Sequence, residues 1–278
     1  MTIIDGKKLS NEIIDSLTNE CIELKKIGIT PGLAVVLVGN NPASATYVSM
    51  KEKACKRVGI NSFKYHLNED STQKELIDLI DRLNKDDKVN GILVQLPLPN
   101  HFNTDEVLEF ISYKKDVDGF HPYNVGLLSL GLEGFKPCTP YGVMKLLKAY
   151  EINPEGMNAC VIGRSNIVGK PMSMLLLNSG ATVTTCHSKT KNLKDITLQS
   201  DLIVVGVGKP NLLTADMVKD GAVVIDVGIN RIESGKLVGD ADFDGVSKKA
   251  SFITPVPGGV GPMTIAMLLS NCVEGAKK

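Results

Sequence analysis

Apolar positions recur along the chain with two alternating periods. Residues Asn11 to Lys26 place Ile13, Ile14, Leu17, Cys21 and Leu24 on one helical stripe, with Ser10 as a candidate N-cap and Gly28 as a stop. A continuous apolar run, Leu33 to Val38, then reads as a buried strand ending at Gly39. The polar segment NNPAS follows and predicts a loop leading into a helix from about Ala45 to Val58. Ser62 to Leu67 predicts a strand, Gln73 to Lys85 a helix, Gly91 to Leu96 a strand and Thr104 to Ile111 a helix, ahead of the loop KKDVDGFHP. Strands alternating with helices predict a parallel sheet covered by helices.

The stretch Gly119 to Pro140 is rich in Gly and Pro and weak in periodicity, so a domain boundary is placed near it. Tyr141 to Tyr150 reads as the crossing helix. A second alternating series follows: strand Asn158 to Gly163, a glycine-containing loop, helix Pro171 to Asn178, strand ATVTTC, strand Asp201 to Gly208, helix Ala215 to Lys219 and strand Ala222 to Gly228. Arg231 to Gly239 predicts a hairpin with a Ser-Gly turn. A last helix is predicted over Ile265 to Gly275.

Composition narrows the functional classes. At 43% apolar and 22% charged residues, the 278-residue chain is neither disordered nor collagen-like. Equal numbers of basic and acidic residues, 31 each, give no electrostatic reason to bind nucleic acid or an anionic membrane. Aromatics at 5% without Trp argue against a base-stacking surface. No apolar run approaches the ~20 residues of a membrane span. The start, MTIIDGKKLS, shows no secretory pattern. Six scattered cysteines without a CxxC pair read as reduced core thiols of a cytoplasmic protein. The four histidines show no ligand spacing, so no metal is expected.

The segment ACVIGRSNIVGKP combines a strand, a glycine turn and a helix start, the pattern of a pyrophosphate cradle. A Walker A loop is excluded. Five residues separate Gly163 from Gly169, and Pro171 follows Lys170 where a Mg²⁺-binding hydroxyl would stand. The dinucleotide fingerprint is imperfect too, with Ser165 at its second glycine, so an ordinary strand-to-helix turn stays open. The next strand ends in His187, Ser188, Lys189 and Thr190, not in the carboxylate that holds a ribose 2′-hydroxyl. With Arg164 and Ser188 available for a 2′-phosphate, NADP is favoured over NAD.

In the first half, Tyr47 and Lys51 are spaced i, i+4 and share one helix face near its predicted start. The helix field and partial burial would both lower the Lys51 pKa, giving a base usable near neutral pH. The spacing alone equally describes a surface lysine beside a core tyrosine. Gln95, in an otherwise apolar strand, is either satisfied by backbone or aimed into a site at the strand's carboxyl end. Asp116 and Asp118 could form an Asx-bonded turn. PVPGGVGP could wrap a ligand or form a rigid connection.

Together the segments GNNPASATYVSMKEKA, GILVQLPLP, KDVDGFHP, PCTPYGV, GRSNIVGKP, CHSKT, VIDVGIN and PVPGGVGPMT closely resemble the bifunctional methylenetetrahydrofolate dehydrogenase/cyclohydrolase family, in its order and across nearly the whole chain. The resemblance implies an α/β fold of two parallel-sheet lobes, the second a Rossmann-like dinucleotide-binding domain, with a catalytic cleft between them. It implies a folate-binding domain of residues 1–139, with the C-terminal helix 262–278 packing back on it, and an NADP-binding domain of residues 140–261.

The implied activity is oxidation of 5,10-methylenetetrahydrofolate with NADP, then hydrolysis of the methenyl product to 10-formyltetrahydrofolate in one shared site. By motif position the resemblance assigns proton transfer to Lys51, its orientation to Gln95, folate positioning to Tyr47 and pterin binding to Asp118. It assigns NADP contacts to Gly163, Arg164, Ser165, Ser188 and Ile229. Closure around folate and cofactor falls to Gly258, Gly259, Gly261 and Thr264. It further implies a homodimer, with the hairpin near Arg231 to Gly239 as a candidate contact, and a folate substrate whose polyglutamylation stays open. Two alternatives are a dehydrogenase with little cyclohydrolase activity and a non-catalytic NADP-binding regulator.

Overall fold

The computed structural model describes all 278 residues. The chain opens with β1 (Thr2–Ile3), α1 (Gly6–Lys26), β2 (Gly32–Val38), α2 (Pro42–Val58), β3 (Asn61–Leu67), α3 (Gln73–Lys85) and β4 (Gly91–Val94). Four helices or strands follow: α4 (Thr104–Phe110), α5 (Pro122–Ser129), α6 (Cys138–Ala149) and β5 (Asn158–Ile162). Next come α7 (Gly169–Asn178), β6 (Thr182–Cys186), α8 (Leu193–Thr197), β7 (Leu202–Val205), a 3-10 turn at Ala215–Met217 and β8 (Val223–Asp226). The chain ends with β9 (Asn230–Arg231), β10 (Leu237–Val238), α9 (Phe243–Val246), β11 (Phe252–Ile253) and α10 (Val260–Ala276).

These elements form two units, called smaller and larger after the strand number of their parallel sheets: Asn11–Cys138 with Ile265–Lys278, and Met1–Ser10 with Thr139–Thr264. The sequence reading keeps all of residues 1–139 together, and the first ten residues depart from it. β1 extends the larger sheet by parallel pairing with β11, and the Asp5 amide donates to the Tyr150 hydroxyl at 2.7 Å. A two-residue strand carries no periodicity from which this could be read.

The smaller unit holds a parallel sheet in the order β3-β2-β4. β2 is central, and all seven of its residues are buried, which is why its sequence is an unbroken apolar run. Ala34, Val36, Ile92 and Val94 pack against Leu76, Leu79, Ile80 and Leu83 of α3. α3 starts where Thr72 and Glu75 close a capping box. A single parallel bridge, Ile92 to Asp116, adds a short further rung beyond β4.

Helix starts are where sequence and structure differ most. α1 begins at Gly6 rather than Asn11. Asp5 Oδ1 accepts from the Lys8 amide at 2.8 Å, while Ser10 sits inside the helix and donates to the Lys7 carbonyl. α2 begins at Pro42 inside the expected loop, with Asn41 Oδ1 accepting from the Ala43 and Ser44 amides at 3.0 and 3.1 Å. α5 lies in the segment read as irregular, with His121 Nδ1 accepting from the Tyr123 amide.

The larger unit holds a parallel sheet in the order β1-β11-β8-β7-β5-β6. Cys160, Ile162, Ile203, Val205, Val224 and Ile253 line its core. The predicted hairpin forms as an antiparallel pair, β9 with β10. No helix is long and apolar enough to cross a membrane.

Replacing Asn41 by Ala removes two hydrogen bonds from the first turn of α2. The expected loss is about 1 kcal/mol, read as a lower denaturation midpoint. An unchanged midpoint would show that Pro42 alone sets the helix start.

Candidate active site

In an open parallel sheet, ligands gather beyond the carboxyl ends of the strands, where the chain switches direction. In the smaller unit the chain leaves β2 for β3 on one side and returns as β4 on the other. The switch point therefore lies between the ends of β2 and β4. α2 leaves β2 and carries Lys51, while Gln95 immediately follows β4.

The buried residues of α2 are Ser44, Val48, Lys51, Cys55 and Val58. Spacings of four and three put them on one helix face, the face turned to the core. A lysine thus occupies a stripe position normally given to an apolar residue, and it is only 9% exposed. Its Nζ donates to Gln95 Oε1 at 2.9 Å. The Gln95 amide is oriented for this because its Nε2 donates to the Leu96 carbonyl at 2.8 Å. Burial pushes the Lys51 amine below its ordinary 10.5, opposed by the negative charge of Asp118. Burial likewise raises the Asp118 carboxyl, against the Lys51 charge and a hydrogen bond from the Cys138 thiol.

The helix field expected from the sequence is not the cause of the Lys51 shift. Lys51 stands nine residues beyond Pro42, about two and a half turns into α2, whereas that field fades within the first turn. The surface-lysine, core-tyrosine alternative is inverted as well: Lys51 is buried, and Tyr47 is 40% exposed.

The two aspartates of the KDVDGFHP loop separate cleanly. Asp116 is buried and accepts from the amides of Phe120 and His121 at 3.2 and 2.8 Å, and from Asn124 Nδ2 at 2.8 Å. Burial nonetheless holds its carboxyl up at about 6. Asp116 is an internal anchor for the loop that presents Asp118. Gly119 must be glycine, since its φ is +75° and a Cβ would strike the Lys136 and Pro137 backbone. From α10, Asn271 Nδ2 donates to the carbonyls of Val117 and Lys136 at 2.8 and 3.1 Å. No motif or spacing in the sequence marks Asn124, Asn271 or Cys138 as part of this arrangement. The one available signal was Asn271, a polar residue inside an apolar helix.

In the larger unit the chain runs from β5 to β6 on one side and returns as β7 on the other. The turn at this switch point is Gly163 to Gly169. Gly163 has φ +132°, and a Cβ there would meet the Gly206 carbonyl, while a Cβ on Gly169 would meet the Gly163 carbonyl. Such close backbone approach is what a pyrophosphate turn requires. Ser165 Oγ accepts from the amides of Val168 and Gly169 at 3.2 and 3.4 Å, so it closes the turn that leads into α7. Residues 164–167 are exposed. After β6, Thr190 Oγ1 accepts from the His187 amide and its own amide donates to the His187 carbonyl, both at 2.8 Å. That turn presents Ser188 to solvent. Ile229, beyond β8, is 44% exposed.

These residues fit a dinucleotide phosphorylated at the 2′ position. The turn is bare, a helix N-terminus follows it, and residues 187–191 carry no carboxylate.

The PVPGG segment packs within its own unit. The Gly258 carbonyl accepts from the Lys7 amide at 2.9 Å, and a Cβ on Gly259 would meet Thr254 and Pro255. Gly261 and Thr264 lie in the first turns of α10. A Cβ on Gly261 would find only Ile229 Cδ1, at 3.4 Å, and the Thr264 hydroxyl bonds that of Thr139 at 2.9 Å.

Comparison with known proteins matches residues 4–118 to the profile described as tetrahydrofolate dehydrogenase/cyclohydrolase, catalytic domain. Residues 137–278 match the NAD(P)-binding domain of the same name. A protein of Campylobacter jejuni named bifunctional protein FolD is 64% identical over 278 residues, covering 100% of this chain and 99% of the relative. The crystal structure of the bifunctional enzyme FolD from Campylobacter jejuni superposes with a TM-score of 0.99 at 64% identity, covering 100% and 99% of the two chains. A Trypanosoma brucei methylenetetrahydrofolate dehydrogenase-cyclohydrolase, complexed with NADP cofactor and inhibitor, superposes at 0.96 with 39% identity, covering 100% and 97%.

The desolvated Lys51 has a signature in stability. Its folded pKa lies below its unfolded 10.5, so below 10.5 the unfolded chain binds the extra proton and folding is penalised. Wild-type stability should therefore rise relative to Lys51→Met as pH increases from 7 towards 10.5. Parallel melting curves across that range would show that the amine is solvated.

Proposed function

Since the chain belongs to the tetrahydrofolate dehydrogenase/cyclohydrolase family, we infer that it catalyses two successive steps on one folate carbon. It oxidises 5,10-methylenetetrahydrofolate to the 5,10-methenyl form with NADP, and it hydrolyses that product to 10-formyltetrahydrofolate. NADP supplies the hydride acceptor. The observation that carries the residue assignment is the buried Lys51 amine bonded to Gln95.

In the first step the bridge carbon loses a hydride, and its two flanking nitrogens stabilise the resulting cation. The protein's task there is alignment. In the second step water adds to that carbon and both of its protons leave the oxygen, one going to the nitrogen whose bond to the carbon breaks and one being released, so that a formyl C=O remains on the other nitrogen. A group is needed that can take and return a proton near neutral pH. Lys51 suits it, because burial lowers its pKa and Gln95 fixes its amine by a neutral acceptor. A carboxylate in place of Gln95 would hold the amine charged. Asp118 supplies two acceptor oxygens for the adjacent N–H donors of the pterin ring, on a loop anchored by Asp116. Tyr47, exposed one turn before Lys51, is placed to pack on the folate. Gly163, Arg164, Ser165, Ser188 and Ile229 take the cofactor. Gly258, Gly259, Gly261 and Thr264 close around the ligands, with the first two acting through backbone shape.

A dehydrogenase with weak hydrolase activity would need no lysine in the buried stripe of α2, and a non-catalytic NADP-binding regulator leaves that lysine without a purpose. The protein works as a homodimer with a β9–β10 contact, and light scattering should give twice the 29.9 kDa chain mass. Six free, buried cysteines support a reducing, cytoplasmic location.

Lys51→Ala should lower methenyltetrahydrofolate hydrolysis by roughly 10²- to 10⁴-fold, followed as loss of the methenyl absorbance. Retention of wild-type turnover would remove the proton-transfer role. Arg164→Ala combined with Ser188→Ala should raise the KM for NADP roughly 10- to 100-fold while changing that for NAD far less. Equal losses for the two nucleotides would refute the 2′-phosphate assignment.

A further inference from the structure

Two buried carboxylates of the larger unit are used by none of the steps above, Asp226 at the end of β8 and Asp240 after β10. Asp240 is fully enclosed. Its Oδ2 accepts from the amides of Val207 and Gly208 at 2.5 and 2.9 Å, and its Oδ1 accepts from the Lys209 amide at 2.9 Å and Asn230 Nδ2 at 2.8 Å. Asp226 stands behind it. Oδ1 of Asp226 accepts from the amides of Gly228 and Asp240, both at 2.9 Å, and Oδ2 from the Ala241 amide at 2.8 Å. Two glycines make room for the pair: a Cβ on Gly228 would strike the Asp240 carboxylate, and one on Gly239 the Asp226 carboxylate.

Three successive backbone N–H groups converging on one anion form a nest, a structure that elsewhere binds phosphate. Here the chain fills the nest with its own carboxylate. The loop that forms it, residues 207–209, directly follows β7 and so borders the switch point between β5 and β7. The loop that Asp226 holds, residues 227–230, carries Ile229. Both loops are tied inward by their amides, while Val207 and Ile229 project outward. Neither carboxylate has a cationic side chain among these partners, so backbone amides and, for Asp240, the Asn230 side-chain amide compensate their burial. Such a pair costs desolvation, and burial pushes the Asp226 carboxyl up to about 6. An apolar filling of the same space would avoid that cost but would leave the loop amides unpaired.

We propose that Asp240, supported by Asp226, is a positioning residue for the cofactor. It presets the loops after β7 and β8 so that Val207 and Ile229 form one wall of the NADP site, and by occupying the nest it leaves the Gly163 turn as the phosphate site. The inference rests on the reading that this sheet edge takes NADP.

The test compares wild type, Asp240→Asn and Asn230→Ala in two assays on the whole protein: NADP-dependent oxidation, and hydrolysis of methenyltetrahydrofolate without nucleotide. Asparagine would point an N–H group at amide donors, so Asp240→Asn should raise the KM for NADP at least tenfold. Asn230→Ala removes one donor from a partly exposed position, preserves the three backbone bonds, and should raise it about threefold. Hydrolysis needs no nicotinamide and should fall less than twofold in either variant. A KM for NADP within twofold of wild type in both variants overturns the proposal. So does a parallel fall of both activities with a lowered melting temperature, which would mark the pair as general structural support. If Asp240→Asn does not fold, the Asn230→Ala result decides on the same criteria. Failure of the wild-type protein to reduce NADP would instead remove the functional reading itself.

Discussion

An amine held in the buried face of α2 by a neutral amide is the constraint on which the smaller unit is arranged. Lys51 cannot reach bulk water easily, and the acceptor of its hydrogen bond, Gln95, is uncharged. Desolvation therefore outweighs the attraction of Asp118, and the pKa falls. The arrangement needs three separate supports. Asn41 and Pro42 start α2 early enough to place Lys51 beyond the helix field. The end of β4 delivers Gln95, and its Leu96 contact fixes the amide. Asp116 anchors the loop that carries Asp118.

The two sheets solve one geometric problem in the same way. Each is parallel, and in each the chain passes to one side of a strand and returns on its other side, around β2 in one sheet and β5 in the other. All strand ends that bear chemistry therefore point to one edge of their sheet. In the smaller unit that edge holds Lys51, Gln95 and Asp118. In the larger unit it holds the Gly163 turn, Ser188 and Ile229. Loops leaving such an edge are long and lack ladder partners, so their amides need acceptors from elsewhere. Asp116, Asp226 and Asp240 supply them, each a buried carboxylate surrounded by N–H groups. These three carboxylates thus serve as internal acceptors, whereas Asp118 acts electrostatically on Lys51.

Elements were legible in the sequence where one local pattern sufficed. Gln73 to Lys85 reads as a helix because its stripe of Leu76, Leu79, Ile80 and Leu83 follows a Thr72–Glu75 capping box. Leu33 to Val38 reads as a buried strand because both of its faces are covered. The start of α2 was obscured because Asn41-Pro42 reads equally as a turn and as a cap with a first helical residue. α5 was hidden by an apolar pattern without a stripe, PYNVGLLS. β1 and β11 contribute two residues each, too few for any period.

Residue types, their order and their spacing were enough to determine the alternation of strands and helices, the glycine turn without a Walker hydroxyl, the missing ribose carboxylate and the family motifs around Lys51, Gln95 and Asp118. Those features are local, and a window of a few residues contains them. Only the tertiary structure decided which of Tyr47 and Lys51 is buried, which of Asp116 and Asp118 is an anchor, and that Asp226 and Asp240 hold loops together. Burial and hydrogen-bond partners depend on chain segments distant in sequence, such as Gln95 against Lys51 or Asp240 against Val207. A side chain's charge state and task follow from those partners, and no spacing along the chain encodes them.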